Sequence, residues 1–319
     1  MNHIYIHCPL LPEEDYRQVL ERLCPEFVHN LTVYLHLPMN VTHQDIERVV
    51  EVQKAFSENR TVRFQNYGIF ERLPRLGRAL CKALRKHSFL LDMRVKPDQA
   101  PALVKLAKRL EKKGLAYKFS VEETENQMEI YRRFAGCSMH TYFTDPQYTA
   151  ESPDLFDRWL YNPASQGINT FCDIINMLVL QTHSPNCRHA SCFGNTFYVD
   201  EKLEVFLCPL HRDERTHMGS LRENGSLETL LSCEAVARLL PAVVQKRQKC
   251  ADNCDAFASC QGGCPLAREE KDCTCYGTTV EHIRQRLLEV YRDGKVGQVN
   301  YIVKNAILNA LAFGTAFFS

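Results

Sequence analysis

The chain has 319 residues, 45% of them apolar and 24% charged, with a formal net charge of +1. That length and composition support a sizeable globular core, and a charge so close to zero gives no reason to expect a nucleic-acid partner. No run of about 18 apolar residues occurs, so no transmembrane span is expected.

The opening residues, MNHIYIHCPLLPEED, lack the basic and apolar regions of a secretory signal, and a cytoplasmic location is the expectation. In that compartment 15 cysteines point to metal ligands rather than disulfides. HIYIHC (3–8) reads as a first strand and PEEDYRQVLERLC (12–24) as a helix with acids in its first turn. LTVYLHLP (31–38) is a second strand. THQDIERVVEVQKAF (42–56) is a helix capped by Thr42, with Ile46, Val49, Val50 and Val52 on its apolar stripe.

TVRFQNYG (61–68) and FLLDMRV (89–95) are the third and fourth strands, with a helix around residues 70–87 between them that Pro74 starts or kinks. DQAPALVKLAKRLEKKG (98–114) is a helix stopped by Gly114. AYKFSVEE (116–123) is a fifth strand and residues 125–134 a fifth helix. Five βα units in a row predict a parallel sheet, either doubly wound or rolled into a complete or incomplete barrel. Residues 137–185 are aromatic-rich and irregular apart from a helix over 168–181. A further helix is predicted over 278–294, and the apolar tail over 300–319 is read as a helix docked on the protein.

Nine cysteines crowd the last part of the chain: Cys187, Cys192, Cys208, Cys250, Cys254, Cys260, Cys264, Cys273 and Cys275. Six of them fall within KCADNCDAFASCQGGCPLAREEKDCTC, the 27 residues from Lys249 to Cys275. Thiolates joined by short loops converge readily on one metal centre, and Gly262 and Gly263 let the backbone close around it. Eight such ligands suffice for two [4Fe–4S] clusters, with one thiol spare. Structural zinc is the rival, since C-x3-C is an acceptable zinc spacing. Cys24, Cys81, Cys172 and Cys233 sit in helical contexts and are expected to pack in the core.

The block from Cys187 to Cys275 resembles the SPASM domain, the auxiliary iron–sulfur module of many radical S-adenosylmethionine (SAM) enzymes. FYVDEKLEVFLCPL (197–210) occupies the place of that module's small hairpin, and HMGSLRENGSLETLLSCEAVARLL (217–240) resembles its connector and helix. CDAFASCQGGCP (254–265) matches its C-x5-C-x3-C part, glycines included. Two departures stand out: the preceding pair is C-x3-C, one residue longer than the family's, and Leu203 stands where the family has glycine. The resemblance implies one cluster on Cys187, Cys192, Cys208 and Cys264, and a second on Cys250, Cys254, Cys260 and either Cys273 or Cys275.

Radical SAM enzymes also carry a C-x3-C-x2-C loop after their first barrel strand, whose cluster binds SAM. This sequence contains no such triplet. Residues 3–23 resemble the family's second strand and helix, with Ile6, His7 and Cys8 in place of Gly-Gly-Glu, so the chain reads as starting one βα unit late. A lone Cys8 cannot rebuild a three-thiolate site, and SAM is not expected as a cofactor.

The resulting expectation is an incomplete (βα) barrel of the radical-SAM type over residues 1–180, a SPASM-like iron–sulfur domain over 181–285 and a helical tail over 286–319. The implied role is accessory, as a peptide-binding or electron-transfer partner in maturation of ribosomally made peptides. Its partners would be a precursor peptide, a complete radical SAM maturase, or both. The alternatives are the C-terminal part of a split or truncated maturase and a zinc-stabilised binding module.

Overall fold

The computed structural model describes residues 3–72, 75–95, 100–121, 141–143, 152–162, 169–180, 193–223, 225–253, 257 and 271–314. The chain forms two compact units: Met1–Arg94 with Lys108–Lys118 and Cys192–Ala242, and Val95–Ala107 with Phe119–Ser191 and Val243–Ser319.

The first unit is built on β1 (His3–Pro9), β2 (Asn30–His36), β3 (Arg63–Phe70), β4 (Leu90–Val95), β5 (Ala116–Val121), β7 (Thr196–Val199), β8 (Glu204–Phe206) and β9 (His217–Ser220). The strands lie side by side in the order β5-β4-β3-β2-β1-β7-β8-β9, an open sheet. β1 to β4 are mutually parallel, and β1 is also parallel to β7. Parallel neighbours need long crossovers, which α1 (Glu13–Leu23), α2 (His43–Glu58) and α3 (Arg78–Lys86) supply. The open parallel sheet agrees with the incomplete barrel expected from the sequence.

Strand alternation decides which face the helices cover. In β1, Ile4, Ile6 and Cys8 are fully buried while His3, Tyr5 and His7 are half-buried on the other side. Leu31, Val33 and Leu35 of β2 extend the buried face, against apolar stripes such as Tyr16, Val19, Leu20 and Leu23 of α1. The same stripe on α2 runs Ile46, Val49, Val50 and Val52, as expected. Thr42 caps that helix: its hydroxyl accepts from Asp45 N–H at 3.3 Å, and the Asp45 carboxylate accepts from Thr42 N–H at 2.9 Å. Gln53 donates to Tyr16 and Asn66, each at 2.8 Å, which satisfies the polar groups between α1, α2 and β3.

Some predicted boundaries move. β3 starts at Arg63 and runs to Phe70, because its register against β2 carries pairing from Asn30 to His36. The helix expected over 70–87 therefore begins only at Arg78, with Gly77 at its N-cap. The helix expected over 125–134 lies outside the described residues.

β7 and β8 form the expected hairpin, antiparallel, and β9 pairs antiparallel with β8. The turn is held by Asp200, whose carboxylate accepts from Lys202 N–H at 2.8 Å and Glu204 N–H at 2.9 Å. Leu203 closes it with φ +65°, in the left-handed region. α7 (Leu227–Leu231), capped by Ser226, and α8 (Glu234–Asn253) follow.

In the second unit, β6 (Thr141–Phe143) pairs in parallel with Phe119–Val121 of β5. α5 (Ser152–Leu160) lies within the stretch expected to be irregular. Its Pro at the second position and its spacing of Leu155, Phe156, Trp159 and Leu160 are ordinary helix signals. Phe156, Trp159 and Phe171 of α6 (Asn169–Leu180) form an aromatic cluster with ring centroids 5.3–5.8 Å apart. α9 (Lys271–Arg292) packs on α5 and α6, and Asp157 accepts from Arg286 at 2.9 Å and pairs with His282 at 3.0 Å. α9 begins seven residues before the predicted helix, so the backbones of Cys273 and Cys275 are helical. α4 (Ala100–Lys112) and α10 (Tyr301–Phe313) complete the described helices.

The tail docks as expected: α10 buries Val303, Ala306, Ile307 and Ala310 and packs against α6. Among the described residues no helix is long and apolar enough to cross a membrane.

Asn300 fastens that dock. Its side chain accepts from Ile302 and Val303 N–H at 3.1 Å and donates to the Trp159 carbonyl at 2.9 Å, and the residue is buried. Asn300→Ala removes a cap and one of the two hydrogen bonds to the Trp159 carbonyl, which keeps the Asn162 N–H at 3.2 Å, and urea unfolding should show a loss of about 1–2 kcal/mol. Leu203→Gly poses two opposed effects. Releasing the left-handed leucine gains about 1 kcal/mol, but deleting a side chain with 0% exposure costs about 2–5 kcal/mol, so a net loss of about 2 kcal/mol is expected from the same measurement.

Candidate functional site

Of the expected cluster ligands, Cys208 and Cys250 are the two whose side chains the structure describes. Cys208 is buried two residues past the end of β8, in the first unit, and Cys250 is half-buried near the end of α8, in the second. Cys187, Cys192, Cys254, Cys260 and Cys264 lie outside the described residues, and Cys273 and Cys275 are placed by their backbone alone. Two positions apart on an α-helix lie on different sides of the axis, so that backbone lets one of the pair, not both, approach a common centre. Among the described residues no three His, Cys, Asp or Glu side chains converge as a metal group. The donor set, all thiols, suits iron–sulfur chemistry.

The turn before Cys208 adds a conformational match. At the position where the resembling family has glycine, Leu203 takes up the left-handed backbone that glycine adopts without strain.

At the other end of the sequence, three residues, Leu10 to Pro12, join β1 to α1, and none is a cysteine. Cys8 sits on the helix-covered face of β1 beside Tyr16, and burial pushes its thiol up to about 12. It is a core residue. Cys24 and Cys81 are buried too, Cys172 and Cys233 half-buried, and burial pushes the Cys172 thiol up to about 12.

The sheet face turned away from these helices is polar and aromatic, and the sequence reading did not single it out. The signal was present: in HIYIHC and LTVYLH, histidine, tyrosine and threonine alternate with apolar residues, and the parallel register brings them into rows. One row is His7, Tyr34 and Tyr67, with ring centroids 4.2 Å apart from His7 to Tyr34 and 4.6 Å from Tyr34 to Tyr67. A second row nearer the strand N-termini is Tyr5, Thr32 and Gln65, with His3 beside it. His3 Nε2 lies 2.7 Å from Thr32 Oγ1, and His3 stacks on Tyr5 at 4.4 Å. Toward the C-terminal ends lie His36, 5.8 Å from His7, and Tyr198 of β7, 5.7 Å from His36.

Cations rim this aromatic row. Lys118 lies 5.0 Å from the Tyr67 ring centroid and pairs with Asp92 at 3.0 Å. Arg212 lies 4.7 Å from the Tyr198 ring centroid and donates to its hydroxyl at 3.0 Å. Arg94 follows Asp92 by two residues on β4 and so shares its face. Burial, then His36, Arg94 and Lys118, hold the His7 imidazole well below its usual range. Burial, then Arg94 and Arg212, bring His36 down from 6.5 to about 4. Both rings are neutral near pH 7. His7 Nδ1 and His36 Nε2 are shielded from solvent with no hydrogen-bond partner among the described residues. An unmet buried polar atom costs about 1–3 kcal/mol, so such a pair is kept for a reason other than stability.

The histidines make the fold acid-sensitive. With a folded value of about 4 against 6.5, His36 contributes stability that is fully present above pH 6.5 and is lost as pH falls toward 4. At about 1.4 kcal/mol per pH unit this is at most about 3 kcal/mol. His36→Asn should flatten the decline in urea stability between those two pH values.

No protein-family model and no curated protein matches the chain. Solved structures do. A histidine-tagged form of anSMEcpe with bound AdoMet, an anaerobic sulfatase-maturating radical SAM enzyme with a SPASM domain, superposes with a TM-score of 0.73 at 14% identity, over 96% of this chain and 98% of that one. Native anSMEcpe with bound AdoMet and the Cp18Cys peptide gives 0.72 at 14% identity, over 92% and 100%. Streptococcus suis SuiB bound to S-adenosylmethionine, a peptide-modifying radical SAM enzyme, gives 0.50 at 11% identity, over 82% and 70%. Such identities speak to the fold, and the fold of this chain is that of the radical SAM/SPASM structures.

Proposed function

We propose that this chain is an iron–sulfur protein of the radical SAM/SPASM fold that assists maturation of ribosomally made peptides without cleaving SAM itself. One cluster is assigned to Cys187, Cys192, Cys208 and Cys264, the other to Cys250, Cys254, Cys260 and one of Cys273 and Cys275. The clusters would supply one-electron transfer, and the polar sheet face of the first unit would hold a peptide or a part of one.

The observation that carries this reading is the turn before Cys208, where Leu203 has the left-handed backbone that suits the resembling module's glycine. The sequence has no C-x3-C-x2-C triplet, and Cys8 is buried on the helix-covered face of β1, which supports the reading without SAM cleavage. That anSMEcpe is solved with a bound peptide supports a peptide ligand for a chain of this fold.

Protein purified without oxygen should be brown and hold about eight iron and eight sulfide per chain, the content of two [4Fe–4S] clusters. Cys208→Ala and Cys250→Ala should each lose about half of that iron. Incubation with SAM and a strong reductant should yield no 5′-deoxyadenosine. Colourless, zinc-loaded protein would replace the iron–sulfur reading with a zinc-stabilised module, and 5′-deoxyadenosine formed by the chain alone would overturn the accessory role.

A further inference from the structure

We propose that the polar sheet face of the first unit is a carboxylate-recognition site, in which Arg94 and Arg212 bracket the anion and His7 and His36 offer it hydrogen bonds. The inference rests on the peptide-holding reading of that face and names the chemistry of what it holds.

Four observations converge on it. First, the two orphaned nitrogens, His7 Nδ1 and His36 Nε2, belong to rings 5.8 Å apart on neighbouring parallel strands. They are groups poised for hydrogen bonds that the described protein does not make. Second, Arg212 lies 4.7 Å from the Tyr198 ring, whose centroid is 5.7 Å from that of His36, and Arg94 stands on the Asp92 face of β4; both cations lower the His36 imidazole. Third, their partnering differs from that of Lys118, which is neutralised by Asp92 at 3.0 Å. Arg94 and Arg212 have no carboxylate partner among the described residues, and Arg212 is oriented by the Tyr198 ring and hydroxyl. Glu204, on the same face of the sheet as Tyr198, is taken by His217 at 2.6 Å. Fourth, the site lies toward the C-terminal ends of the parallel strands, where open α/β sheets place their ligands.

The same observations choose among ligands. A metal cation is disfavoured by the surrounding arginines and lysine. A phosphate dianion would bring a second negative charge beside the Asp92–Lys118 pair, where one of the cations is already neutralised. A monoanionic carboxylate suits guanidinium geometry, and neutral imidazoles can donate to it without carrying a second charge. The flat rings of Tyr34 and Tyr67 leave an apolar wall beside it.

The carboxylate can come from an acidic side chain or from a peptide C-terminus, and three synthetic peptides of equal length separate these sources. One carries a single internal glutamate and an amidated end, one a free C-terminal carboxylate and no acidic side chain, and one neither. Their binding to the full chain, purified without oxygen, is followed by saturation-transfer NMR. One or both carboxylate peptides should bind and the neutral one should not. Arg94→Gln and Arg212→Gln should each weaken binding about tenfold or more, with iron content and thermal unfolding unchanged. Equal binding of all three peptides, or arginine variants that bind as tightly as the native chain, overturns the carboxylate assignment while leaving peptide binding intact. Binding of S-adenosylmethionine but of no peptide assigns the carboxylate to that molecule and overturns both the inference and the peptide reading. Binding of nothing overturns both as well.

Discussion

The parallel register of β1 between β2 and β7 is the constraint on which the rest of the first unit depends. Side chains alternate along a strand, so a shift of one residue would exchange its two faces. In the observed register Ile4, Ile6 and Cys8 join Leu31, Val33 and Leu35 beneath the helices, while His7 stacks on Tyr34. A slip would drive three polar rings under α1 and expose two isoleucines. The energetic preference for burying the aliphatic set therefore also assembles the polar row on the opposite face.

That row departs from what stability alone would select. Two imidazole nitrogens are shielded and find no partner among the described residues, and the rings are held neutral by burial and by neighbouring cations. Sequences that agree with their fold at every level tend to break the pattern where they act. The first unit breaks it on this face, and its helix-covered side is by contrast conventional, with a satisfied Tyr16–Gln53–Asn66 network.

The hairpin of β7 and β8 extends the same sheet and carries Cys208 just beyond its end. The sheet thus links the polar face and one expected cluster ligand within a single unit. In the second unit an aromatic cluster around Trp159 and the Asn300 clasp hold α5, α6, α9 and α10 together. Cys250, Cys273 and Cys275 stand on helices of that chain segment.

Strand and helix order, the Thr42 cap and the docked tail were determined by the sequence, because each follows from local periodicity or from one capping residue, while the β7–β8 hairpin was implied by the resemblance to the SPASM module. The cysteine spacing and the absence of a C-x3-C-x2-C triplet were equally plain. Tertiary structure decided the rest. The end of β3 depends on pairing with β2, and the helical start at Lys271 does not show in a cysteine-rich stretch. Cys8 went to the core and His7 to the polar face because adjacent strand residues point opposite ways, and only pairing says which side the helices cover. Arg94 and Arg212 come from segments more than a hundred residues apart, and that both lower the same His36 imidazole is a consequence of the sheet alone.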